Sequence, residues 1–328
     1  MFTTLISAKE LAAHLGQPNW LVIDSRHDLM NPAHGRDSHA RSRIPGARFV
    51  DLDTQLAGRH TGQNGRHPLP DPDVFRKLVA QLGIGPDTQV IVHDDHTGQS
   101  AGRFWWMLRW LGHAGVAVLD GGFKGWEAGG FPVDSSPVES DAVTQGDLAT
   151  QEQQQMEGSV LGEPTSGGPM PGAGDAAAPQ AGAQSFMAAG AARPRLAPTV
   201  TTQDMLANLN TRAAKVVDAR AGARYRGETE PLDPVAGHIP GALNRPFQEN
   251  LQPDGTFKPA AVLKQEFAVL LGQVPADKVI HQCGSGVSAC HNILAMEHAG
   301  LNGSALYPGS WSEWCADPGR PVAIGATP

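Results

Sequence analysis

The chain has 328 residues, 33 acidic against 25 basic side chains, a formal net charge of −8 and 40% hydrophobic residues. That length leaves room for two domains with cores of their own, while the acidic balance excludes a general electrostatic footprint for nucleic acid. No apolar run approaches the ~20 residues of a membrane span, the amino-terminal segment lacks the basic head and apolar stretch of a signal peptide, and three irregularly spaced cysteines fit a reducing, cytoplasmic setting.

In chain order, Ser7 followed by Glu10 reads as a capping box opening a helix that runs through Leu15. A strand is predicted from Trp20 to Asp24, a helix from Asp73 to Leu82 with Leu78, Val79 and Leu82 on one side, and a strand from Gln89 to His93. A helix from Ser100 to Leu111 and a strand from Val116 to Leu119 follow. The later part repeats the alternation: a helix near Thr202 to Leu209, a strand at Val216-Val217 and a helix from Ala260 to Leu271. Then come a strand from Val279 to His281, a helix from Ser288 to His298 and a strand from Ser304 to Tyr307. Short apolar strands separated by helices predict an α/β fold with a mostly parallel sheet flanked by helices. Functional groups then belong at the carboxyl ends of strands.

The alternation is an internal duplication. Leu21-Val22-Ile23-Asp24-Ser25-Arg26 is matched by Lys215-Val216-Val217-Asp218-Ala219-Arg220, and Arg43-Ile44-Pro45-Gly46-Ala47 by His238-Ile239-Pro240-Gly241-Ala242. Val90 to Asp95 is matched by Lys278 to Cys283 at an offset of 188, which also carries Trp126 to Trp314. Three blocks in one order imply two copies of one domain. The expected division is 1–136, a connecting segment 137–198, and 199–328. The connecting segment is rich in Gly, Ala, Pro and Gln, too poor in large apolar groups to offset the entropy of ordering, and reads as a flexible linker. This alignment sets Asp95 opposite Cys283, so one copy keeps a thiol that the other lacks.

Cys283 lies where the strand Val279 to His281 gives way to a glycine-containing loop and a helix. Unpaired N–H groups and the positive end of the helix dipole collect there, and a cysteine so placed is favoured as a thiolate nucleophile near neutral pH. Three chemistries compete for the loop. Gly284-Ser285-Gly286-Val287-Ser288-Ala289 satisfies a dinucleotide-binding pattern, but it sits too near the end of the chain to begin a βαβ series. A cysteine phosphatase needs an arginine six positions on to grip phosphoryl oxygens, and position 289 is alanine. Sulfur transfer through a cysteine persulfide needs only the nucleophile and loop N–H groups that stabilise its anions.

With its Asp-x-Arg strand ends, Ile-Pro-Gly-Ala segments and cysteine loop in this order, the chain resembles the tandem-domain rhodanese-family sulfurtransferases over nearly all of its length outside the linker. The resemblance implies two rhodanese-like domains, activity confined to the second, Cys283 as catalytic nucleophile, and Gly284, Ser285, Gly286, Val287 and Ser288 as the anion and persulfide loop. It implies Arg224 as a substrate-binding residue and Asp218 with Arg220 as site-ordering residues. Neutral Gly284 and Ser285 resemble the loop of the 3-mercaptopyruvate enzymes rather than the basic loop of the thiosulfate enzymes. No cofactor and no metal are implied; the spacing of His281, Cys283, Cys290 and His291 matches no common zinc pattern. The partners implied are a small-molecule sulfur donor and a thiol or cyanide acceptor, including a protein acceptor such as a thioredoxin-like thiol. Two departures stand out: Arg43 replaces the first-domain histidine, supplying positive charge at the domain interface, and no second arginine follows Glu230-Pro231, leaving Arg226 as the substitute. A persulfide carrier that binds a partner protein, and a redox sensor pairing Cys283 with Cys290, are the alternatives from other classes. The Phe104 to Trp110 aromatic cluster reads as core and interface packing.

Overall fold

The computed structural model describes residues 1–137 and 196–328; the predicted linker lies outside the described residues except at its ends. The first copy builds β1 (Leu5–Ile6), α1 (Ala8–Ala12), β2 (Trp20–Asp24), α2 (His34–Arg41), β3 (Arg48–Phe49), α3 (Pro72–Gln81), β4 (Gln89–His93), α4 (Gln99–Trp110), β5 (Val116–Leu119) and α5 (Gly122–Ala128). The second builds α6 (Thr202–Thr211), β6 (Lys215–Asp218), α7 (Gly222–Tyr225), β7 (Ala242–Asn244), α8 (Ala260–Leu271), β8 (Val279–Gln282), α9 (Ser288–His298), β9 (Ala305–Leu306) and α10 (Ser310–Trp314). The two sheets have orders β1-β5-β4-β2-β3 and β7-β6-β8-β9, and every pairing between these strands is parallel.

Helix starts follow their local chemistry. Ser7 and Glu10 form the expected capping box, although α1 ends at Ala12 rather than Leu15. Thr201 and Asp204 form another, and Asp71 caps α3 ahead of Pro72. No helix among the described residues is long and apolar enough to cross a membrane.

One apolar cluster runs through both copies. Phe104, Trp105, Trp106 and Leu108 of α4 share it with Ile293, Leu294 and Met296 of α9, all at most 1% exposed. Gly102 lets the two helices approach: a Cβ there would lie 3.4 Å from the backbone nitrogen of His291. At the edge of this seam Arg109 pairs with Glu297 at 2.7 Å. The aromatic cluster therefore packs as core and interface. The chain enters the second copy across the same seam, where Leu196 donates its N–H to the carbonyl of Arg109 and Leu306 donates to that of Pro198.

Ladder register revises the alignment of the copies. Asp24 pairs with His93 in one sheet and Asp218 with Gln282 in the other. The carbonyls of Asp94 and Cys283 then accept the equivalent N–H groups of Phe123 and Trp311. Asp94, not Asp95, is thus the counterpart of Cys283. The first loop is one residue longer before its left-handed glycine, Gly98 at φ 77° against Gly286 at φ 79°.

Candidate active site

β8 ends at Gln282, so Cys283 stands at the carboxyl end of a central strand, where parallel sheets collect functional groups. Its N–H donates to Ser310 Oγ at 3.1 Å, and its carbonyl accepts from Trp311 at 2.9 Å. The backbone then curls so that the Gly286 N–H donates to Cys283 Sγ at 3.1 Å. Gly286 is required for that curl: besides its positive φ, a Cβ would lie 2.3 Å from the Pro308 carbonyl oxygen. Ser288 opens α9 just beyond.

The thiol is 1% exposed at the base of a cleft of about 350 Å³, which both copies line. From the second copy come Cys283, Gly284, Ser285, Val287, Ser288 and Arg224. From the first come His27, Arg66, His67, Asp94, Asp95 and Lys124, among others. Ser285 bonds across the interface to His67 Nδ1 at 2.7 Å, and His67 Nε2 meets Asp53 Oδ1 at 3.1 Å. An ionised carboxylate only accepts hydrogen bonds, which puts the imidazole proton on Nε2 and makes Nδ1 the acceptor of the serine hydroxyl. Burial pushes the His67 pKa below its ordinary value despite the neighbouring Asp53, which favours the neutral ring. The hydrogen bond from His67 in turn lowers the Asp53 pKa.

Arg66 and Arg224 stand over Gly284. A Cβ at that position would lie 2.8 Å from Arg66 Nη2 and 3.5 Å from the Arg224 guanidinium. A side chain there would push the end of Arg66 aside. Arg224 pairs with Glu230 at 2.7 Å and Asp233 at 3.2 Å, and Arg66 also pairs with Asp233. Arg220 grips Asp218 at 2.7 Å, reaches Glu230 at 3.3 Å and lies over the Trp311 ring at 4.6 Å. The Asp218–Arg220 pair is therefore buried beneath the cleft, not exposed in it.

Two expectations are corrected. Arg43 pairs with Asp134 at 2.7 Å and donates to the Ser136 carbonyl, closing the first copy on itself and not charging the interface. Arg226 is taken up by Glu228 at 2.6 Å and does not line the cleft; the second guanidinium there comes instead from Arg66. Cys290 is buried and directs its thiol to the Gly286 carbonyl at 3.3 Å, and burial pushes its pKa up to about 12. Among the described residues no group of His, Cys, Asp and Glu is arranged to hold a metal.

Asp53, Arg66 and His67 escaped the sequence reading, as did Arg103. This last guanidinium is fully buried on α4 and donates to the carbonyls of Gly286 (3.2 Å), His67 (3.0 Å) and Leu56 (3.3 Å). It thereby ties the cysteine loop of one copy to the strap that carries His67 in the other.

The chain is similar to known proteins over nearly its whole length. The family model described as rhodanese-like domain matches residues 7–129 and 201–317. A Pseudomonas aeruginosa protein named "Probable 3-mercaptopyruvate sulfurtransferase" is 41% identical, with 98% of each chain covered. An Arabidopsis thaliana thiosulfate/3-mercaptopyruvate sulfurtransferase is 32% identical, over 97% of this chain and 86% of the relative. The crystal structure of the 3-mercaptopyruvate sulfurtransferase SseA of Escherichia coli superposes with a TM-score of 0.66 at 28% identity, covering 94% of this chain and 99% of that one. With two matched domains that fill most of its length, the chain belongs to the rhodanese family.

Proposed function

We propose that the protein is a sulfurtransferase that moves sulfur from 3-mercaptopyruvate through a persulfide on Cys283 to a thiol or cyanide acceptor. The observation that carries this reading is the cleft itself: a thiol on a bare, neutral loop, a Ser285–His67–Asp53 hydrogen-bonded chain beside it, and two guanidinium groups above Gly284. A keto acid thiol fits all three. Its carboxylate is matched by the planar forks of Arg66 and Arg224, its sulfur by Cys283, and its thiol proton by the Ser285 hydroxyl oxygen, which is left to accept.

In the first half-reaction the Cys283 thiolate attacks the donor sulfur. The carbon–sulfur bond breaks, and its electron pair passes to the methylene carbon as the enolate of pyruvate. The proton from the donor thiol ends on that carbon, relayed through the Ser285 hydroxyl and the neutral His67, and pyruvate leaves. Cys283 now carries the persulfide, its charge met by the Gly286 N–H that already points at the cysteine sulfur. In the second half-reaction an acceptor thiolate or cyanide attacks the outer sulfur, and the Cys283 thiolate is the leaving group. Two easier displacements replace one difficult transfer, and atoms and charge balance without a cofactor. Three free cysteines, none in a disulfide, support a reducing, cytoplasmic setting, and a thioredoxin-like thiol is among the acceptors we propose.

Cys283→Ser is expected to abolish thiocyanate and sulfide production, and retained turnover would sink the assignment. Side-by-side kcat/KM values address the donor: mercaptopyruvate is expected to exceed thiosulfate. Loading of Cys283 once, with no turnover on small acceptors, would instead favour a persulfide carrier.

A further inference from the structure

The family pattern implies an arginine after Glu230-Pro231, and this chain has Asp233 in that neighbourhood. Asp233 sets a negative charge against the two arginines over Gly284. The Asp233 side chain is 3% exposed and bridges Arg66 and Arg224, the same two groups that stand over Gly284. Glu230 holds it in place by accepting N–H bonds from Leu232 (3.1 Å) and Asp233 (3.3 Å) while pairing with Arg224 and Arg220. The cluster then comprises three guanidinium groups, Arg66, Arg220 and Arg224, and three carboxylates, Asp218, Glu230 and Asp233. Its charges balance before any donor arrives.

We propose that Asp233 is a specificity-determining residue: its carboxylate occupies the bridge between Arg66 and Arg224, so the cleft admits a donor with one negative charge and rejects a dianion. The inference rests on the sulfur-transfer reading and names how that site chooses its donor. A single donor carboxylate shares the outer N–H groups of the two forks with Asp233. A dianion brings a second charge against the Asp233 carboxylate held between the two forks, in a partly buried cleft where repulsion between like charges is strong.

The test compares thiosulfate and 3-mercaptopyruvate as donors to cyanide. Asp233→Asn is expected to raise kcat/KM for thiosulfate at least tenfold, chiefly through KM, and to shift the thiosulfate-to-mercaptopyruvate ratio in favour of thiosulfate. Asp233→Glu, which restores the charge, is expected to return the donor ratio to the wild-type value, a rescue that a purely structural role does not predict. A donor ratio unchanged in Asp233→Asn and Asp233→Ala would overturn the inference. A second measurement needs no variant: pyruvate is expected to protect wild-type Cys283 from iodoacetamide at lower concentration than sulfate, and the reverse order would also overturn it. If wild type ignored mercaptopyruvate while Asp233→Asn still gained thiosulfate turnover, the proposed donor would fall and the charge-selection role would stand. If mercaptopyruvate were used but the donor ratio did not move, the opposite would hold.

Discussion

The loop after β4 and the loop after β8 begin from one backbone plan and end as chemical opposites. Each follows a central parallel strand, turns through a left-handed glycine and leads into a long helix. In the first, the Asp94 carboxylate fills the concavity, accepting the N–H groups of Gly98 (2.9 Å), His96 (3.1 Å) and Ser100 (3.1 Å). In the second, Cys283 leaves the concavity to its sulfur and one N–H, from Gly286. An anion built into the chain holds the first loop shut, whereas the second is shaped for an anion that comes and goes. The braces are exchanged too. Arg103 of the first copy grips the Gly286 carbonyl of the second, and His291, 188 residues further along, meets the Thr97 carbonyl of the first at 2.9 Å. Burial drives the His291 pKa down to about 3, so the loop that already contains a carboxylate faces a neutral ring. The cysteine loop faces a guanidinium, a group that stays charged even though burial lowers its pKa. The electrostatics of each loop thus come partly from the opposite copy.

The largest expected effect comes from breaking the cationic brace. Arg103→Met is predicted to lower kcat about 10²-fold, about 2.7 kcal/mol in activation free energy, and to slow Cys283 alkylation at pH 7. His291→Met should leave both rates within a few-fold. Steady-state kinetics and iodoacetamide rates on the two variants decide it, and equal losses would mean that the braces serve packing alone. Next, Asp94→Ala strands buried N–H donors in the closed loop and should cost about 2–3 kcal/mol of stability, read as a lower midpoint in urea. A cost no greater than that of a typical surface substitution would show that the first loop does not depend on its internal anion.

The smallest effect concerns Asp120, which lies at the boundary of the copies and accepts the Phe257 N–H at 2.8 Å. Burial, with the nearby charge of Asp254, lifts its pKa to about 6 against that hydrogen bond. Between about pH 4 and 6 the folded protein therefore holds a proton that the unfolded chain has lost, and stability from this group falls as pH rises through that window. Asp120→Asn keeps an oxygen acceptor without the charge. It should stabilise the protein by about 1–2 kcal/mol at pH 7.5, with the gain shrinking toward zero near pH 4; thermal unfolding across that range provides the measurement.

Much of this was legible in the sequence because it is periodic or local. Val116–Leu119, Ala260–Leu271 and Ser288–His298 have the bounds that their apolar patterns predict. The capping box at Ser7 and the position of Cys283 likewise needed only near neighbours. α2 escaped because His34–Arg41 has no apolar stripe, and two-residue strands such as Arg48–Phe49 exist only through their pairing. The one-residue slip that set Asp95 opposite Cys283 came from the longer first loop, visible only once the ladders fix the register. His67 was out of reach for another reason. It lies 218 residues from Ser285 in an aperiodic stretch of Gly, Pro and polar residues, and the two meet through the packing of the copies, α4 on α9 foremost.

That exchange across the seam bears on how a duplicated gene can age. A spare copy ordinarily drifts once its partner keeps the essential group. Here the copy without the thiol supplies the imidazole, one of the two arginines over Gly284 and the guanidinium that steadies the loop. On the proposed sulfur transfer, loss of these groups from the first copy disables the second, and selection then acts on the pair as a single unit.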